Sequence, residues 1–402
     1  MNKKLSMAVA GAVMAFGASA ANAGIIIPAG DWTVDIGGNV NAYYTHTKYS
    51  GVLDTAGANT ANTVQTGLLP SALGIGAKTR QNDLDIAFQF TFFTGVDSGN
   101  KSSGGGNTLN IRQAYLTFGD KSWGTVKGGR DLGIYGSDAI LSDMTLLGVG
   151  IGAGGGGTST LGRIGSGYMY ADWVGQISYT SPNWDGFSFA VGVREPWSNS
   201  LGGDSNGAGA GTGTASNSAI RNDMGYEGKV SYEWTGDFAG KVWASAISQK
   251  HNSNTAATAF DSYTSRGYDI GGKISAAGFG LVGYYYDGKG LSGTPNILSG
   301  LVFIAGQKTD DRGGYVQGTY VIPGVGTKLG ASYGISKIKP EGAGSEFENK
   351  SWIIGAYHPI TKSLNLVAEY TDNKLENVNF GIGAGAGDGK AKTLSLGAIL
   401  FF

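Results

Sequence analysis

The chain has 402 residues, 72 of them glycine, with 11% aromatic and 15% charged residues, no cysteine and a formal net charge of −1. Without cysteine it has no disulfide, no thiol nucleophile and no thiolate metal site. The near balance of charge argues against a polyanion-binding protein, so nucleic acid is not an expected partner.

The first stretch is a targeting signal rather than a fold element. Lys3 and Lys4 precede an apolar run from Met7 to Phe16, and Ala21-Asn22-Ala23 precede Gly24. This is the pattern of a cleaved secretory signal peptide over residues 1–23, with the run too short to span a bilayer. The expected mature domain is 24–402.

From Asp31 onward, alternating segments of roughly ten residues follow one another, the length a barrel strand needs. The expected strands are 32–48, 71–80, 83–94, 108–119, 124–130, 168–180, 187–197, 224–235, 240–250, 266–276, 279–288, 312–322, 327–338, 350–358, 363–373 and 391–402. Clean alternation sets Leu84, Ile86, Phe88 and Phe90 against Asp83, Asp85 and Gln89, and Leu364, Leu366, Ala368 and Tyr370 against Asn365, Glu369 and Thr371. The stretch Trp352–His358 is ambiguous. Connections alternate between short ones, such as Ala277-Gly278 and Pro359–Lys362, and long ones, such as 131–167 and 198–223.

A soluble sandwich has no reason to put every long loop at one end, whereas an outer-membrane barrel does. The glycine content discourages helices, and the aromatics favour strands and interfaces. Trp32, Trp123, Trp184, Trp234, Phe238, Phe279 and Phe402 recur at the short-turn end, where a headgroup girdle would lie. The expected fold is therefore all-β, a 16-stranded antiparallel transmembrane β-barrel with short periplasmic turns and long extracellular loops. Its apolar face meets outer-membrane lipid and its polar face turns inward. The inward set holds Asp35, Asn39, Asn41, Gln89, Lys127, Lys229, Glu233, Lys273, Gln317, Lys328 and Glu369, too polar for a dry core. The object reads as a water-filled channel.

The last strand, Lys392–Phe402, has one wholly apolar face (Leu394, Leu396, Ala398, Leu400, Phe402) and stops on two phenylalanines. An open strand of this kind would be sticky, so it is expected to pair with the first strand and close the barrel.

Three stretches resemble the trimeric general diffusion porins of Gram-negative outer membranes. Ile111-Arg112-Gln113-Ala114-Tyr115-Leu116, with Gly124-Thr125-Val126 and Gly129-Arg130, looks like their fourth and fifth strands. Asp138-Ala139-Ile140-Leu141-Ser142-Asp143-Met144 looks like the start of a third loop that folds into the pore. Ser395-x-Gly397-x-x-Leu400-x-Phe402 is similar to the terminal signal read by the barrel-assembly machinery. The likeness covers the mature chain in architecture and is specific at these stretches.

The resemblance implies passive diffusion of small hydrophilic solutes and ions, a homotrimer, an outer-membrane location and no cofactor. It places Arg112 on the pore wall, Asp138 and Asp143 on the constriction loop, and Gly397, Leu400 and Phe402 in the assembly signal. Lys127 and Arg163 join the constriction as further cations. By strict alternation Arg130 and Tyr115 face outward. Where relatives often carry basic residues, this chain has Asn39 and Ala72. The acidic and proline-containing continuation of the loop is replaced by Thr145-Leu146-Leu147-Gly148 and the run Gly154–Gly157. Weak ion selectivity follows, its sign left open.

Three other readings compete. A barrel enzyme needs a nucleophile and base, yet His46, His251 and His358 form no such arrangement. Gly203-x-Ser205-x-Gly207 and Gly330-x-Ser332-x-Gly334 match a nucleophile elbow only by pattern. A soluble β-solenoid would need a fixed repeat. A substrate-specific channel of the same fold would need an aromatic track, for which Tyr43, Tyr115 and Tyr315 are candidates.

Overall fold

The computed structural model describes residues 24–54, 59–96, 109–152, 159–196, 223–251, 263–292, 308–342, 346–377 and 387–402. The strands are β1 (Ile25–Ala29), β2 (Trp32–Gly51), β3 (Thr60–Gln65), β4 (Ser71–Gln81), β5 (Leu84–Thr94), β6 (Asn110–Asp120), β7 (Gly124–Leu132), β8 (Trp173–Thr180) and β9 (Phe187–Arg194). They continue as β10 (Gly225–Trp234), β11 (Phe238–His251), β12 (Tyr263–Ala276), β13 (Phe279–Lys289), β14 (Thr309–Val321), β15 (Lys328–Pro340), β16 (Phe347–Pro359), β17 (Leu364–Glu376) and β18 (Gly389–Phe401). One short helix, α1 (Ser137–Ser142), and a 3-10 turn, Met144–Leu147, lie between β7 and β8.

Neighbouring strands pair antiparallel, and β18 closes onto β2 from Gly389↔Gly51 to Phe401↔Asn39. The ring has sixteen positions, matching the sequence-based expectation. Two strands are additional. β3 and β4 share one position, pairing with the far and near halves of β2. β1 continues the track of β18 along the near end of β2. The expected strand 168–180 begins only at Trp173, because Tyr168–Asp172 belong to the preceding loop. No helix among the described residues is long and apolar enough to cross a membrane.

Local chemistry explains the tight ends. Asn82 and Asp83 both adopt positive φ (48° and 62°), as do Ala277 and Gly278 (49° and 84°). Two such residues in succession make the turn whose twist suits a hairpin.

The two faces of the sheet separate cleanly. On β18, Leu394, Leu396 and Leu400 are 42%, 46% and 41% exposed, while Ser395, Ile399 and Phe401 are buried. Outward-facing leucines inverted in this way belong in hydrocarbon. The expected girdle residues Trp123, Trp184, Phe238 and Phe279 are exposed beside the short turns. The ambiguous stretch Trp352–His358 is β16 with apolar residues on both faces. Trp352 and Ile354 point out, whereas Ile353 and Tyr357 point in and pack with Met144 and Val149 of the inner loop.

Candidate pore constriction

The segment between β7 and β8 runs inside the barrel, and wall side chains take up its backbone groups in sequence. At the entrance, the Ile134 amide donates to Glu227 (2.6 Å) and the Gly136 amide to Asp269 (3.1 Å). Gly136 has φ 74°, a turn that only glycine adopts at no steric cost and that starts α1. On α1, the Asp138 carboxylate meets Lys229 (2.6 Å) and Lys241. Gln317 on β14 then accepts from the Met144 amide (2.8 Å) and donates to the Ser142 carbonyl (2.9 Å).

Asp143 faces the loop rather than the water. It precedes the 3-10 turn and accepts from the Thr145 amide (2.9 Å) and the Tyr168 hydroxyl (2.8 Å), an N-cap. Further on, Tyr43 donates to the Leu147 carbonyl (2.7 Å), and Glu369 accepts from the amides of Val149 and Gly150 (2.8 Å each) and from Tyr357 (2.6 Å). Arg163 is fully buried; it donates to Ser332 and Ser351 on β15 and β16. At the exit, Arg194 forms a buried ion pair with Glu227 (2.6 Å) and donates to the Ala171 carbonyl (3.4 Å), so one pair holds both ends of the loop.

These contacts have a common cause. A loop placed inside a barrel brings backbone N–H groups out of water, and each needs an acceptor. Wall carboxylates and amides supply them. Above the waist, Ile140, Tyr168 and Met169 of the loop pack with Tyr284, Tyr286, Tyr315 and Trp243 of the wall.

The remaining expected site residues divide by surroundings. Arg112 lies against the Phe93 ring (5.2 Å to its centroid), at a β-bulge where Thr91 pairs with Gln113 and Phe92 with Ile111. The bulge turns both Arg112 and Gln113 inward and shifts the parity of everything after it. Tyr115 is therefore buried on the lumen side, the opposite of the strict-alternation expectation, with Lys127 5.5 Å from its ring centroid. Lys127 also pairs with Asp131. Arg130 pairs in register with Ala114 on the other face, and its Nε donates to the Trp173 carbonyl (3.3 Å).

Asn39 and Asn41 are buried. They hold the segment between β3 and β4 against the loop through the carbonyls of Pro70 and Leu69 and the amide of Gly67. Gln89 donates to Thr91 and packs over the bare backbone of Gly74 and Gly76. Asp35 is half-buried on the inner face, Lys328 lies over the Tyr357 ring (4.8 Å), and Glu233 and Lys273 are exposed to the lumen in register with Lys241 on either side. Gly397 is required by close approach, since a Cβ there would meet the Ala42 carbonyl at 2.2 Å. Leu400 points outward, and Phe402 exchanges both backbone hydrogen bonds with Gly38.

Sequence reading missed Lys241, Asp131 and Gln113. Lys241 is accessible by counting alternation from the outward Phe238, and Asp131 by counting from the inward Lys127; Gln113 needs the bulge.

The electrostatics concentrate on α1. Burial opposes ionisation of Asp138, but the ammonium groups of Lys229 and Lys241 outweigh it and hold the carboxyl down at about 2. Burial, with Asp143 beside it, pushes the Tyr168 hydroxyl well above its ordinary value. On the wall facing α1, Lys229, Lys241 and Lys273 stand with the carboxylates Asp138 and Glu233, while Lys127 pairs with Asp131.

The sequence profile of a family described as Gram-negative porin matches residues 8–378. No curated protein sequence is matched by this chain. Among solved structures, an anion-selective porin from Comamonas acidovorans aligns with a TM-score of 0.63 at 17% identity, covering 92% of this chain and 100% of that one. OmpF of Salmonella typhi in complex with daunomycin aligns with a TM-score of 0.63 at 19% identity, covering 94% and 100%. The outer membrane channel DcaP of Acinetobacter baumannii gives 0.59 at 13% identity, covering 92% and 98%.

Proposed function

Because this chain belongs to the Gram-negative porin family and forms an outer-membrane channel for passive diffusion of small hydrophilic solutes, we propose that its waist is a weakly anion-preferring general-diffusion filter. The observation that carries this reading is the sharing of one carboxylate by two ammonium groups: Asp138 serves both Lys229 and Lys241. The pair of lysines keeps a net positive charge after pairing. A fixed excess charge at a narrow aqueous waist weights ions by sign. The preference stays weak because Lys127 has its own carboxylate and because Asp143, Arg163 and Glu369 are consumed in holding the loop.

A solute-specific track is less favoured. Tyr43 and Tyr315 spend their hydroxyls on loop carbonyls, at Leu147 and Ala139, and Tyr115 lies apart from both under Lys127. The protein acts without catalysis on this reading. Ser332 of the Gly330-x-Ser332-x-Gly334 pattern lies on a strand with its hydroxyl accepting from Arg163, and His358 bonds Thr327. The Gly203-x-Ser205-x-Gly207 pattern lies outside the described residues. Residues 1–23 act as a cleaved leader, the working form is a homotrimer, and Gly397, Leu400 and Phe402 are read by the assembly machinery.

Swelling of liposomes carrying the protein tests the filter. Uptake of neutral sugars is expected to fall smoothly with solute size and not to saturate. Saturation by one sugar at low concentration would favour the specific channel.

A further inference from the structure

The strand position between β2 and β5 is broken near the middle of β2. β3 pairs with β2 down to Tyr43↔Gln65, and β4 takes over at Asn39↔Ala72. Were β3 to run on in register, Leu69 would stand opposite Asn39; Ala72 stands there instead, so three residues are extra. A bulge usually adds one residue. Here the surplus is spent on an inward excursion, Thr66–Pro70, whose every residue is buried inside the barrel. Its proline cannot donate to a ladder, which suits a segment that has left the sheet.

Backbone taken out of the sheet inside a barrel must find new partners. The Asn41 carboxamide accepts from the Gly67 amide (2.9 Å) and donates to the Leu69 carbonyl (2.8 Å), and Asn39 donates to the Pro70 carbonyl (3.2 Å). Two further groups go to the inner loop. The Leu68 amide donates to the Gly148 carbonyl (2.9 Å), and the Gly67 carbonyl accepts from the Thr160 amide (3.0 Å). One dipeptide thus ties the outgoing limb of the loop to its returning limb.

Side chains fill the same gap. Leu69 belongs to one apolar cluster with Tyr43, Met144 and Val149. Leu68 lies against Gly162, where a Cβ would meet its Cδ2 at 2.4 Å. Gly67 is equally confined, since a Cβ there would meet the Gly148 carbonyl oxygen at 2.1 Å and the Tyr43 ring at 2.8 Å. Asn41, Tyr43, Thr66, Val149 and Thr160 are each at most 1% exposed, so these residues leave no room for water between loop and wall. The cations of the waist stand on other strands: Arg112 on β6, Lys127 on β7, Lys229 on β10 and Lys241 on β11.

We propose that Thr66–Pro70 is a seal. It closes the gap between the inner loop and β2, so that solutes pass only along the side of the loop that carries the cations. The proposal rests on the channel reading and concerns the side of the loop that the charged waist does not govern. Without the segment, the loop would face Asn39, Asn41 and Thr45, the uncharged inward groups of β2. A second aqueous path along them would carry ions without regard to sign, because no fixed charge lines it. The seal makes both the size limit and the sign preference the property of one waist.

The test removes the three extra residues from the full-length protein. Deleting Leu68–Pro70 brings Gly67 opposite Asn41 and Ser71 opposite Val40, so β3 runs into β4 in the observed register. Heat-modifiable migration verifies the barrel. Should the deletion not fold, Asn41→Leu takes its place, keeping the side-chain bulk and removing the bonds to Gly67 and Leu69. Single-channel conductance, liposome swelling with sugars of graded size and the reversal potential are read on the same preparations. A seal predicts a conductance higher by roughly half or more, uptake of sugars that the wild type excludes, and a reversal potential moved toward zero. Unchanged conductance and sugar limit would overturn the proposal and leave the segment a strand irregularity. So would added noise at an unchanged mean conductance, which marks a tie that blocks no path. A larger conductance with an unchanged reversal potential would also overturn it, because the extra flow then runs past the cations. If the wild type itself shows no ion preference, the reading of the waist fails, and the sugar limit still decides the seal.

Discussion

The guanidinium of Arg163 donates from Nη2 to both the hydroxyl and the carbonyl oxygen of Ser332, at 2.6 Å each. The contact joins residues 169 positions apart and leaves the only arginine on the inner loop with no solvent exposure. Arg163 is thus spent on fixing where the loop lies, and the size of the waist depends on it.

Arg163→Ala is expected to keep the barrel and loosen the loop. Removing a buried charged donor leaves the Ser332 hydroxyl without its donor and Ser351 with Ser166 alone, a cost of about 3 kcal/mol to loop docking. Single-channel recordings should show greater open-state noise with unchanged heat-modifiable migration. Arg163→Lys should not restore the quiet state, because one ammonium cannot reproduce the planar fork.

Gly148→Ala tests the same latch by steric means. A Cβ at that position would lie 2.1 Å from Oε1 of Glu369, which accepts from the Tyr357 hydroxyl while Oε2 accepts from the amides of Val149 and Gly150. The expected outcome is displacement of the loop from β17 and an altered conductance. A shorter side chain at the wall, in a Gly148→Ala/Glu369→Asp double variant, should recover part of the wild-type value.

Asp138 sets a pH expectation. Its folded-state pKa lies below the ordinary 3.8, so its contribution to loop docking is complete above that value and is lost as pH falls through about 2. The difference in reversal potential between wild type and Asp138→Asn should therefore stay constant from neutral pH down to the ordinary carboxylate range. It should shrink only in stronger acid. A difference that titrates near neutrality would mean that Lys229 and Lys241 do not hold the carboxylate as described.

At the barrel seam, the backbone of Phe402 accepts from the Gly38 amide (2.9 Å) and donates to its carbonyl (3.1 Å). Deleting Phe402 should impair assembly, read as the heat-modifiable fraction in outer membranes, far more than Arg112→Ala. The latter should change conduction and leave assembly intact. Equal assembly of the two variants would reduce Phe402 to ordinary girdle packing.

The strands were legible because a sheet between lipid and water must alternate, and Leu394–Leu396–Leu400 does so without exception. What the sequence concealed were departures from alternation caused by distant partners. The bulge at Arg112–Gln113 reverses parity, and no local pattern announces it, so strict alternation puts Tyr115 on the wrong face. Asn39 and Asn41 read as pore lining, yet they bind a segment some thirty residues on, at Gly67–Pro70. Glu369 and Gln317 also read as wetted wall groups, because nothing near them in sequence reveals that a loop's amides will reach them. The capping role of Asp143 was the exception. An aspartate two residues before Thr145 is a local signal for a helix start.

The most direct measurement is the reversal potential in a salt gradient for the wild type and for a Lys229→Gln/Lys241→Gln variant. The wild type should show a modest anion preference, well short of the ideal value, and the variant should lose it or turn weakly cation-preferring as Asp138 stands alone. A cation-selective wild type, or a variant with an unchanged potential, would contradict a waist governed by the shared carboxylate.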